Sequence, residues 1–111
     1  MGATKTHSYS DEQNRLAGLL RALAHPARLA ILELLLEEDC CNCRDLTEEI
    51  DLAQPTISRH LSELRAAGLI RGTHTGTRVR YCIDPARWRA TQKELNELFD
   101  RFRDGPDAPA C

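Results

Sequence analysis

Hydrophobic positions recur along the chain in five helical stretches and one alternating stretch. Leu16, Leu19, Leu20 and Leu23 form a stripe at helical spacing, and Ser10 with Gln13 makes a capping box in front of it. This predicts a first helix near 11–24. Pro26 opens a second helix, with His25 as its cap. Leu29, Ile31, Leu32, Leu34, Leu35 and Leu36 cover most of that helix's circumference, so it is expected to be central and buried. Leu46 and Ile50 mark a short third helix near 43–50. A fourth follows Pro55, with Ile57, Leu61 and Leu64 at i, i+4, i+7 spacing and Gly68 as its stop.

After Gly68 the period changes from 3.6 to 2. Val79, Tyr81 and Ile83 alternate with Arg78, Arg80 and Cys82, and Leu69-Ile70 precedes a tip over 72–77 bounded by Gly72 and Gly76. That pattern predicts a β-hairpin. Asp84-Pro85 caps a last helix near 86–103 that carries Leu95, Leu98, Phe99 and Phe102. The fold is expected to be mainly α with a small β-hairpin, a winged helix-turn-helix. Its domain spans 11–103, between a mobile arm over 1–10 and a disordered tail over 104–111. The first and last helices carry more apolar surface than one core needs, which points to a homodimer packed through them. A two-fold dimer presents two reading helices to a palindromic site.

At 111 residues, 41% hydrophobic and 29% charged, the composition is that of one soluble domain. No apolar run approaches the roughly 18 residues of a membrane span, and the N-terminus lacks a secretory apolar core, so the expected location is the cytoplasm. The net charge of −2 hides an uneven distribution. Residues 54–80 hold five arginines against Glu63, whereas 33–51 hold eight acids against Arg44. The first segment suits phosphate and the second suits a cation.

Five cysteines, three of them at 40, 41 and 43, do not resemble a disulfide framework. Thiolates select soft ions, and Cys40, Cys41 and Cys43 offer enough sulfur for a three-coordinate site. As(III) or Sb(III), with a lone pair at the fourth corner, fits three sulfurs; Cd(II) and Bi(III) are further candidates. Neighbouring acids raise thiol pKa values, which weighs against a low-pKa redox sensor. Cys82 reads as a bystander, and Cys111 and His7 as groups able to complete a site. A thiol enzyme is disfavoured, because the chain has no βαβ pattern, no phosphate loop and no Cys–His pair at a recognisable spacing; no organic cofactor is expected.

The segments LRALAHPARLAILELL, DLAQPTISRHLSELRAAGLI and RYCIDP resemble the ArsR/SmtB family of metal-responsive repressors across residues 12–103. The resemblance implies a homodimeric repressor of double-stranded DNA that leaves its operator when an inducer binds. It implies base or phosphate contacts from Gln54, Thr56, Ser58, Arg59 and His60, and wing contacts from His74, Arg78 and Arg80. Arsenic-responsive members carry Cys-x-Cys directly before Asp-Leu; here Arg44 stands between Cys41-Asn42-Cys43 and Asp45-Leu46. The last helix holds no histidine, unlike the zinc-binding members. A thiol redox or persulfide response is the alternative on the same fold.

Overall fold

A computed structural model describes residues 8–105. The arm's residues 1–7 with His7, and the tail's residues 106–111 with Cys111, lie outside the described residues.

The N-terminal elements follow their capping chemistry. Helix α1 spans Asp11–Leu23, and Ser10 and Gln13 close a reciprocal capping box at its start. Helix α2 spans Pro26–Glu38, with His25 Nδ1 accepting from the Ala27 N–H at 3.0 Å. A short strand, β1, runs Cys40–Asn42. Helix α3 (Cys43–Glu49) starts from a second capping box, between Asn42 and Asp45. After the turn at 50–53, helix α4 spans Gln54–Ala66.

The chain then folds back as strands β2 (Ile70–Thr75) and β3 (Arg78–Ile83), joined by a two-residue turn in which Gly76 has φ +63°. Helix α5, Pro85–Phe99, begins at Asp84, whose carboxylate accepts from the Arg87 N–H. The sheet is antiparallel in the order β1-β3-β2. Cys40, Cys41 and Asn42 pair with Cys82, Tyr81 and Arg80, and Ile70 to Thr75 pair with Ile83 to Arg78.

The core joins all of these elements except β3 and α5, whose Tyr81, Ile83 and Trp88 pack against it. Ile31, Leu32 and Leu35 of α2 meet Leu46 of α3, the Ile57, Leu61 and Leu64 stripe of α4, and Leu69 and Ile70. Each fully buried aliphatic side chain contributes about 1.5–3 kcal/mol relative to exposure. The α3–turn–α4 pair with its flanking hairpin is a winged helix-turn-helix.

Four expectations are corrected. Helix α2 is not buried all round, because Leu29 and Leu36 are 48% and 54% exposed. The wing has no six-residue tip, since β2 continues through Gly72 to Thr75. The last helix ends at Phe99, leaving Phe102 beyond it. The hairpin is not the whole sheet, because the cysteine segment adds β1 as a third strand beside β3.

Candidate nucleic-acid interface and its cysteines

Helix α4 buries its stripe against the core and turns Gln54, Thr56, Ser58 and Arg59 outward. A cleft of about 360 Å³ separates its N-terminal half from the wing; Asn42, Cys43, Arg44, Gln54, Ser58, Thr77, Arg78, Val79 and Tyr81 line it. The cleft gathers amide, hydroxyl and guanidinium donors between a helix and a hairpin, the chemistry that base edges and phosphates accept. Arg78 belongs to this cleft. His74 and Arg80 are exposed on the hairpin outside it, and the Arg80 guanidinium donates to the Cys40 carbonyl at 3.4 Å.

His60, expected on the DNA-facing side, faces inward at 7% exposure. Its Nδ1 accepts from Arg28 Nε at 3.1 Å, and its ring lies 4.4 Å from that of His25, centroid to centroid. Arg28 Nη1 also donates to the Arg21 and Ala22 carbonyls at the end of α1. Burial, then the charges of His25, Arg28 and Arg59, hold the His60 pKa below its ordinary value. His60 therefore joins α4 to α1 and α2 from the inward side of the helix, not the outward side expected of it.

The C-terminal end of α4 is held differently. Gly68 has φ +81°, and its N–H donates to the Arg65 carbonyl while the Leu69 N–H donates to that of Leu64. The Arg87 guanidinium of α5 lies over Gly68, where a Cβ would stand 2.7 Å from its Cζ, and it donates to the Ala67 carbonyl at 3.4 Å.

The three clustered cysteines go three ways. Cys40 is bonded to Cys82 in a disulfide between directly opposed strand positions with Cα atoms 4.5 Å apart. Cys41, next in the strand, points to the opposite face and into the core. Burial, then the charges of Asp45 and Glu38, raise its thiol pKa. Cys43, the first residue of α3, is half-buried in the cleft beside Gln54 and Ser58, and burial raises its pKa too. A single three-sulfur site at Cys40, Cys41 and Cys43 is not what this arrangement brings together. Among the described residues, no group of three or more His, Cys, Asp or Glu side chains is placed to hold a metal ion.

Cys82, read as a bystander, is Cys40's partner. Its strand phase, shared with Arg78 and Arg80, was visible in the sequence, but β1 was not, so nothing marked the pairing. Beside Cys40 and Cys41 lies an acidic pocket of about 400 Å³, lined also by Glu37, Glu38, Asp45, Glu48 and Glu49.

Comparison with known proteins agrees with this geometry. The family described as "Bacterial regulatory protein, arsR family" matches residues 25–71. An uncharacterised HTH-type transcriptional regulator of Methanocaldococcus jannaschii is 35% identical over 89 residues, covering 79% of this chain and 99% of that protein. The HTH-type transcriptional regulator CmtR of Mycobacterium bovis is 41% identical over 86 residues, 78% of this chain and 72% of that protein. Among solved structures, HlyU from Vibrio cholerae superposes with a TM-score of 0.66 at 27% identity, covering 84% of this chain and all of that one.

Proposed function

The chain belongs to the ArsR family of bacterial regulatory proteins, and on that premise we propose that it is a homodimeric transcriptional repressor whose hold on a palindromic operator is set by sulfur chemistry at the start of α3. Gln54, Thr56, Ser58 and Arg59 of α4 read the major groove, and Arg78, with His74 and Arg80, meets the phosphates flanking it. Exposed Leu20 of α1, with Leu98 and Phe99 at the end of α5 and Phe102 just beyond it, supplies the apolar surface for a two-fold contact.

One observation carries the regulatory part: the Cys40–Cys82 pair ties β1, the strand that leads into α3, to β3 of the wing. A reagent that occupies or opens that pair acts on both DNA-contacting parts together. The inducer in this reading is a thiophilic metal(loid), As(III) or Sb(III) foremost and Cd(II) or Bi(III) after them, taken up by the reduced sulfurs. A coupling of about 1–3 kcal/mol, the usual range for such linkage, lowers operator affinity by about 5–150-fold. The disulfide itself favours a second reading, in which oxidation of the pair is the signal.

Fluorescence anisotropy with DNA from the protein's own promoter separates the two. Arsenite or antimonyl ion releasing the reduced protein supports the first, and peroxide releasing it in the absence of any metal supports the second. Wild-type responses from both Cys40→Ser and Cys82→Ser would sink either reading.

A further inference from the structure

We infer that the reduced Cys40 and Cys82 thiols form a two-sulfur site for monosubstituted trivalent arsenicals, R–As(III), in preference to inorganic arsenite. The inference rests on the reading that sulfur chemistry at this pair is the regulatory signal, and it names the ligand class.

The antiparallel register sets the two residues directly opposite each other, with Cα atoms 4.5 Å apart. That spacing is the close, non-hydrogen-bonded kind of cross-strand pair, in which both side chains rise from the same face of the sheet. Both residues are half-buried, so a small reagent reaches them without unfolding the core. The described residues place no third sulfur with them. Cys41 alternates to the opposite strand face and packs with the core, and Cys43 sits across in the cleft beside Gln54.

Donor number then decides the ligand. An arsenical with one carbon substituent has two exchangeable positions, and two thiolates fill both. Arsenite has three and keeps a hydroxyl on a two-sulfur site, while zinc in a closed site requires four ligands.

The steps balance as follows. A low-molecular-weight dithiol first reduces the Cys40–Cys82 bond, giving two electrons and two protons and leaving as its own disulfide. The arsenical then exchanges two As–O bonds for two As–S bonds. The two thiol protons depart with its hydroxides as two waters, and arsenic stays trivalent. The product places one arsenic atom between β1 and the wing where the disulfide bond had been.

The test titrates the full chain, reduced with a phosphine and then freed of it, with phenylarsine oxide. Native mass spectrometry and counting of free thiols are the readouts. The expected result is one phenylarsenic group per chain with loss of two titratable thiols in wild type, Cys41→Ser and Cys43→Ser, and loss of that adduct in Cys40→Ser and Cys82→Ser. Oxidised wild type should take no adduct until reduced, a control that does not depend on any variant folding. Arsenite consuming three thiols per chain, or binding as tightly as the aryl compound, overturns the inference. So does a two-thiol adduct that survives in Cys82→Ser. An adduct that forms as expected without altering operator binding leaves the site standing and refutes the regulatory reading. Release of DNA by oxidation without any arsenical adduct does the reverse.

Discussion

Opening the Cys40–Cys82 bond should cost the domain a large share of its stability. The two cysteines are 42 residues apart in sequence, so the bond closes a loop containing α3, α4, β2 and most of β3. Chain-entropy bookkeeping for a loop of that length gives about 13 cal/mol/K, or about 4 kcal/mol at 25 °C, where native disulfides contribute about 2–4 kcal/mol. The total stability of a domain this size is about 5–15 kcal/mol. At about 4–8 °C per kcal/mol, the melting temperature should fall by roughly 8–30 °C on reduction. The assay is thermal melting by circular dichroism with and without a phosphine reductant, at one fixed protein concentration because a dimer's melt depends on concentration. Cys82→Ser should melt near reduced wild type and be indifferent to reductant. Identical melts for wild type with and without reductant would refute the reasoning, since they would mean that the bond constrains nothing in the unfolded chain.

Three further outcomes follow from the geometry around α4. Because the His60 pKa is lower in the folded protein than its ordinary 6.5, the unfolded state binds more protons between the two values; stability is therefore expected to fall as pH drops through 6.5 toward the folded-state pKa, and urea midpoints should show a slope that His60→Gln flattens. Gly68→Ala should destabilise by about 1–2 kcal/mol, the cost of a left-handed alanine, with the Arg87 guanidinium displaced from the end of α4; the denaturation midpoint reads it, and no loss would contradict the positive φ. Arg59→Ala and Arg78→Ala should each weaken operator binding and reduce the salt slope by about 1, whereas equal slopes in wild type and both variants would remove these residues from the phosphate contacts.

The helices were legible because their signals are local. Ser10 with Gln13, Pro26 behind His25, and Asp84 before Pro85 act within one turn, and the structure uses each of them as a cap. The His60 reading failed although its signal was present. Positions 57, 60, 61 and 64 make the full i, i+3, i+4, i+7 stripe, and the polar residue type obscured a core position that Arg28 makes tolerable by donating to the ring. Strand β1 had no signal of its own, since the three residues between Asp39 and the first residue of α3, Cys43, are too few to display a period. Everything that depends on β1 was hidden with it, including the partner of Cys40 and the separation of Cys41 from Cys43. Leu29 and Leu36 misled for another reason: apolar residues around a whole helix mark surface to be covered, and a single chain covers only part of α2.

Strand β1 also bears on the thermodynamics of landing on DNA. A free hairpin is a tether whose residues each give up about 1–2 kcal/mol of conformational entropy when a complex orders them. Here β3 is paired with β2 along its length and with β1 at Arg80 to Cys82, and Cys40 bolts the base of the wing to the strand that leads into α3. The turn at Gly76-Thr77 and the two-stranded ribbon on either side of it are the parts of the wing that β1 does not brace. Most of the entropic penalty that a loose wing would incur at the operator is thus met during folding, so docking draws on a surface already in shape.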